Sequence, residues 1–323
     1  MKVRTISLVA CAVALLGALG VRQVSEDRQS DLLLQLQAYG TTALDLPGFS
    51  RAAKAPRITD KRYSPDPQGT LSARYTELFG SSPKPGRVVS AILEYARPAT
   101  NEHVGATLRI STNIYSDGQY ASLIGDPSTR SVSRVGAYRR GTYSGYGLGQ
   151  ASWVTTSTGR PELDRSLKIT AVDGKVVAAV DLWLQPTNTT DRNPGWRPLT
   201  DLDYQVSEFA ARLALSYGRM ADLDFERAPK VEITVRNTRI DCRTPGDLTL
   251  APLRSVLRAV GGSLDGGEFG VYRASVGGRS LRIVIASREL VVDQRKIALS
   301  CPILFDGTEL WIEKNAVLSA LRL

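Results

Sequence analysis

The sequence predicts an α+β protein: an antiparallel sheet domain backed by helices, then a smaller β-rich α+β unit with an internal repeat. Three observations carry this. Two β-rich runs, Leu167–Val172 and Val176–Leu184, meet at Asp173-Gly174, a pair that favours a type I′ hairpin turn. Between Asp203 and Arg219 the apolar residues Val206, Phe209, Ala210, Leu213 and Tyr217 recur at helical spacing, which gives one face to lay on a sheet. Beyond Val231, landmarks recur at an offset of about 60 residues: Cys242 with Cys301, Leu250 with Leu310, Leu257 with Val317.

The 323 residues are 42% hydrophobic and 23% charged, a balance that suits a packed chain of about two domains and excludes wholesale disorder. Three Cys and one His exclude zinc-finger and iron–sulfur patterns and a dense disulfide scaffold. The net charge of +9 is spread over both halves rather than gathered into a stripe, which argues against nucleic acid as a partner.

Residues 1–20 read as an export signal. Lys2 and Arg4 precede an uncharged run from Ile6 to Val21, and Ala18-Leu19-Gly20 offers small residues to a signal peptidase. Leu8-Val9-Ala10-Cys11 also matches a lipobox, and the run is long enough to stay as an anchor, so cleavage, retention and lipidation are all open; cleaved export is the reading adopted. Export implies periplasm, cell surface or secretion, with a membrane partner only if the segment is retained or Cys11 acylated.

Residues 21–86 read as a short helix, Asp31–Tyr39 closed by Gly40, followed by a tether rich in Pro and charge from Arg51 to Gly69 and a second break at Ser81–Gly86. Residues 87–228 form the α+β domain, with strands over Arg87–Tyr95 and Val104–Tyr115, a helix over Asp117–Ile124, the hairpin and the long helix. Residues 229–323 hold the duplicated strand–loop–strand–helix units. In an oxidising compartment, Cys242 and Cys301 at matching repeat positions are expected to form a disulfide worth about 4 kcal/mol.

The last unit resembles the copper amine oxidase N-terminal-like domain of exported bacterial proteins. Val235-Arg-Asn237-Thr-Arg239 stands for its strand turn, Thr249-Leu-Ala-Pro252-Leu-Arg254 for its central motif, and Leu257–Gly261 for its helix and Gly stop; Trp311-Ile-Glu313-Lys314 is a degenerate second copy of the central motif. The resemblance covers about 90 of the 323 residues and implies a stalk-like binding or assembly module, with neither copper nor oxidase activity. The chain lacks the three His ligands of that oxidase chemistry.

Other chemistry is thin. His103 has no G-x-S-x-G partner. Ser81-Ser-Pro-Lys84 matches S-x-x-K, but Pro83 and Pro85 oppose the required helix. Gly145-Tyr-Gly147-Leu-Gly149 misses the phosphate-loop spacing, and Asp201-Leu-Asp203 and Asp222-Leu-Asp224 lack the rest of a calcium loop, so capping explains them better. The one candidate ligand surface is Tyr138, Tyr143, Tyr146 and Trp153 with Arg139 and Arg140, where aromatic faces stack on sugar rings and guanidinium groups donate. No metal or cofactor is expected. The sequence therefore predicts a non-catalytic envelope protein that binds wall polymer or another envelope protein. The alternative is a wall hydrolase using two of Asp164, Asp173, Asp181 and Glu208.

Overall fold

The computed structural model describes residues 31–39, 45–52, 54–99, 104–126, 138–140, 148–156, 164–185 and 198–322. The export signal, His103, Tyr143 and Tyr146 lie outside the described residues. The fold is α+β, with three antiparallel sheets and helices laid against them.

Helix α1 (31–39) comes first. The first sheet contains β1 (Ser50–Arg51), β2 (Arg57–Tyr63), β3 (Gly86–Arg97), β4 (Ala106–Tyr115), β5 (Tyr138–Arg140), β6 (Ala151–Thr156), β7 (Ser166–Asp173) and β8 (Val176–Leu184), in spatial order β1-β3-β4-β8-β7-β6-β5 with β2 also on β3. Three helices accompany it: α2 (Thr70–Phe79), α3 (Gly118–Gly125) and α4 (Asp201–Asp222). Strands β9 (Lys230–Val235), β10 (Thr238–Arg243) and β11 (Leu250–Pro252) lead into α5 (Leu253–Ala259). Then follow β12 (Ser263–Gly266), β13 (Val271–Val276), β14 (Arg279–Val284), β15 (Glu289–Val292), β16 (Arg295–Ala298), β17 (Leu304–Phe305), β18 (Leu310–Glu313) and α6 (Lys314–Leu321). They build two five-stranded sheets, β17-β18-β11-β10-β9 and β12-β13-β14-β15-β16.

The stretch from Arg51 to Gly69 is not a tether. Residues 57–63 are β2, paired with β3 over their whole length from Arg57↔Ile92 to Tyr63↔Gly86. This strand lies along β3 at the margin of the sheet, and its burial is slight, so its charges stay in water and it lacks an apolar signature. The central hairpin forms as expected, but one residue later. Asp173 pairs with Val176, Gly174 and Lys175 make the turn, and only Gly174 has positive φ, the pattern of a type II′ turn.

The sheet alternates cleanly. Ala106, Leu108, Ile110 and Ile114 of β4 and Val176, Ala178, Val180 and Leu182 of β8 turn to one face and are buried, and α4 covers them. Helix α4 is fixed at its start by a capping box: Asp203 N donates to Thr200 Oγ1, and Thr200 N donates to Asp203 Oδ2 (2.9 Å). The other carboxylate oxygen of Asp203 accepts from buried Arg97 (2.7 Å). At Gly218 the helix meets the sheet so closely that an added Cβ would stand 2.6 Å from Thr112 Cγ2 and Val176 Cγ1.

The same helix also packs on the C-terminal part. Phe305 N of β17 donates to Ser216 Oγ (2.7 Å), and Arg212, almost fully buried, pairs with Glu208 and donates to the Ile285 carbonyl (3.3 Å). One apolar cluster therefore runs unbroken from Leu36 through Leu213 to Leu281 and Val317. Where the hairpin of the first sheet meets the second part, fully buried Asp173 receives Arg288 bidentately (2.6 and 2.9 Å) and Arg219 at 3.2 Å.

Two expected outcomes follow from this packing. Gly218→Ala lowers unfolding free energy by about 1–3 kcal/mol in urea melts, because the methyl overpacks the helix–sheet contact. Asp173→Ala costs about 3–5 kcal/mol by leaving the Arg288 guanidinium without its counter-charge and Arg219 with Asp222 alone, whereas Asp181→Ala, at a partly exposed pair with Lys168, costs under about 1 kcal/mol.

Candidate functional site

The face of the first sheet away from α4 is polar and partly open. Strand register places Glu94, Arg109, Asp181 and Lys168 side by side across β3, β4, β8 and β7, and Lys168 and Asp181 are 3.3 Å apart. The next row, Ser111, Ala179 and Thr170, is small, which keeps that part of the face low. Helix α3 covers one end, over Val172 and Val177. At the other end Trp183 stands between Thr107 and Ser166 and is 43% exposed, the only large aromatic among the exposed large hydrophobic residues described.

Of the aromatic and basic residues expected to form a ligand surface, the structure describes part. Trp153 is half-buried and packs on the Ala121, Val172 and Val177 cluster, so much of its ring serves the core. Tyr138, Arg139 and Arg140 are β5, registered with Thr155, Val154 and Trp153 of β6. Tyr143 and Tyr146 lie outside the described residues. The sequence reading passed over Trp183, although a signal was present. In Leu182-Trp183-Leu184 the leucines are in phase with the buried positions of β8, so the period-2 pattern turns the tryptophan outward.

The four carboxylates considered for hydrolysis are dispersed. Asp173 is held by Arg288 and Arg219, Glu208 by Arg212 and Asp181 by Lys168, while Asp164 is buried at 1% exposure. None of them lines any of the three grooves described in the molecule.

The C-terminal part has an open groove of about 680 Å³ between β10, α5 and the loop before β18, within the usual size of a ligand cleft. Ile240, Pro252, Ala259 and Trp311 supply apolar lining, and Arg239, Arg258 and Asp241 supply exposed charge. Its loop is internally braced. Asp306 accepts from Trp311 Nε1 (2.8 Å), Glu309 N (2.7 Å) and Thr308 N (2.8 Å) and Oγ1 (2.9 Å). Burial pushes the Asp306 carboxyl up, but these donors together outweigh it and hold its pKa below the usual value. Burial raises the pKa of Glu309, whose Oε1 accepts from Arg254 N (3.0 Å) at the start of α5 and from Leu310 N (2.8 Å).

The expected Cys242–Cys301 disulfide is absent: both thiols are free and buried. The register explains why equal spacing misled. The hairpin turns Arg236-Asn237 (φ 44° and 68°) and Asp293-Gln294 (φ 47° and 70°) are equivalent, and counting from them sets Cys242 opposite Leu299 in the second copy. Cys301 lies two residues further on, in a separate pocket with Met220, Phe225, Leu250 and Leu304. Burial pushes the thiols up to about 11 at Cys242 and about 12 at Cys301.

No family model, no curated protein and no solved structure matches the chain.

The thiols give a direct check. At pH 8 both react with a maleimide far more slowly in the folded chain than in urea, and both become alkylated once the chain is unfolded. A folded pKa above the unfolded value means their contribution to stability is complete below the ordinary thiol pKa of 9.0 and fades as pH rises towards 11 and 12. Stability in urea therefore declines with pH in that window, and Cys301→Ala reduces the slope.

Proposed function

We propose that this chain is an exported cell-envelope protein with a non-catalytic binding role, and that the outer face of the first sheet is its contact with wall glycan. The observation that carries the reading is Trp183, 43% exposed on a rigid sheet beside the Glu94–Arg109–Asp181–Lys168 row. An exposed tryptophan on an antiparallel sheet offers an apolar ring to a pyranose, and ion-paired side chains next to it supply donors and acceptors for hydroxyl groups. The dispersal of Asp164, Asp173, Asp181 and Glu208 into separate packing or ion-pair roles favours binding over hydrolysis. Export rests on Lys2, Arg4 and the uncharged run that follows them.

The C-terminal part adds the resemblance to the copper amine oxidase N-terminal-like domain. The tight turn at Arg236-Asn237 and the passage from β11 into α5 at Pro252-Leu253-Arg254 are consistent with that pattern. On this reading the C-terminal part is a second binding or assembly module, packed against α4 on the side away from the first sheet's outer face.

The test is co-sedimentation of the chain lacking residues 1–20 with purified sacculi, scored for bound protein and for released fragments. Pelleting without release is expected, and Trp183→Ala weakens it by about tenfold or more while leaving the circular dichroism spectrum unchanged. Release of soluble muropeptides overturns the non-catalytic reading, and pelleting indifferent to Trp183→Ala overturns the placement of the contact.

A further inference from the structure

The groove beside β10 has an unusual wall: the open edge of a strand. The two-residue turn makes Val235 and Thr238 the closing hydrogen-bonded pair of the β9–β10 hairpin, and the ladder then alternates. The Thr244 N to Pro229 O bond (2.9 Å) fixes the same phase at the far end. Thr238, Ile240 and Cys242 therefore spend their main-chain groups on β9, whereas Arg239, Asp241 and Arg243 direct theirs the other way. Arg243 is taken by Leu250 of β11. There the ladder stops, because β11 ends at Pro252 and the chain turns into α5. Among the described residues, nothing bonds the main chain of Arg239 or Asp241 on that side.

Thr238, Arg239, Ile240 and Asp241 are also the residues of β10 that line the groove, opposite Pro252, Trp311 and α5. The space next to the two unused donor–acceptor pairs is thus already a cleft, with apolar walls and a floor of strand. We propose that this groove binds an extended peptide segment of another protein by strand addition to β10. Four residues of open edge span about 13 Å, enough to pair with a segment of about four residues, two of which would exchange main-chain bonds with Arg239 and Asp241. Side chains on one face of the segment would enter the space between Pro252, Ala259 and Trp311.

Charge sets the preference. Asp306 and Glu309 are occupied by the loop's own donors and by the start of α5. Arg239 shares a solvent-exposed ion pair with Glu232 of β9 (3.5 Å), so Arg258 and Arg239 face the groove with Asp241 and only part of the Arg239 charge is offset by Glu232. A segment with apolar residues alternating with an acidic one complements them. This inference does not depend on the glycan contact, which lies on the other sheet.

The experiment uses the full chain lacking residues 1–20 and a displayed library of random heptapeptides. Enriched sequences are expected to carry Asp or Glu among alternating apolar residues. The best one, synthesised with capped ends, should slow amide exchange at Arg239 and Asp241 by at least about tenfold while leaving the protected amides of Ile240 and Cys242 unchanged. N-methylation at alternate residues should abolish its binding, and methylation at the intervening residues should be tolerated. Arg239→Pro removes one outward N–H without touching the β9 ladder and should reduce affinity at least about tenfold; Arg258→Glu should redirect selection away from acidic peptides. No enrichment over the empty display scaffold overturns the proposal. So does binding that survives methylation at every position, or that survives Arg239→Pro with no change in exchange at Arg239 and Asp241. Sacculus pelleting of Arg239→Pro and peptide binding of Trp183→Ala should both stay at the unsubstituted level, which separates failure here from failure of the wall contact.

Discussion

Burial of α4 on nearly every side is the constraint on which the rest of this structure depends. A helix between a sheet and a second packed body needs small residues where it comes close and partners for each polar group it carries inward. Both needs are met. Ala210, Ala211, Ala214 and Gly218 bring its backbone near β4 and β8, and Leu213 and Leu215 fill the remaining space. Arg212, Ser216 and Arg219 point towards the C-terminal part and are met there by the Ile285 carbonyl, by Phe305 and by the Asp173–Arg288 pair. The polar groups of the helix thereby fix the orientation of the second body, since a rotation about α4 would strip several buried donors at once. The surfaces left for recognition are those that α4 does not touch.

The sequence made the parts with strong local periodicity legible: α4, the β7–β8 hairpin, β3 and β4, and the repeat beyond Val231. It failed where local pattern and tertiary role diverge. The charges of β2 look like a linker because the strand contributes hydrogen bonds to β3 rather than apolar area to the core. The type II′ turn differs from the expected one because Asp173, the residue that would have opened a type I′ turn, is held in the last pair of the ladder by its ion pairs. Trp153 and Trp183 look alike in sequence, and only the burial of Val172 and Val177 under α3 decides that one packs and the other is exposed. Of the candidate sites, the Trp183 face was marked in the sequence only by the phase of its tryptophan within β8. The groove was not, because it depends on which side of β10 lacks a neighbour.

That missing neighbour has a cause in the repeat. Each copy supplies a hairpin, a third strand and a helix, too little to close a core alone. The two third strands solve this by pairing with each other, Leu250 opposite Glu313 and Pro252 opposite Trp311, so the copies share a seam. The hairpins then fall into different sheets: β9 and β10 beside the seam, β15 and β16 with β13 and β14. Proline at the end of β11 has no N–H to continue the ladder towards β10, and α5 begins at the next residue. The one Arg243–Leu250 pair is therefore all that joins the first hairpin to the seam, and β10 diverges from it at once.

A strand edge left open in this way is usually an aggregation hazard, and proteins blunt it with charge, twist or cover. Here α5 and the braced 306–309 loop flank the edge, and Arg239 and Arg258 stand at its mouth. These features exclude a flat sheet of another molecule, because α5 rises beside the edge where the next strands of such a sheet would lie. They leave room for a single extended strand. The geometry that protects the fold from indiscriminate pairing is the same geometry that makes the edge selective, and it follows from where Pro252 ends a strand of three residues.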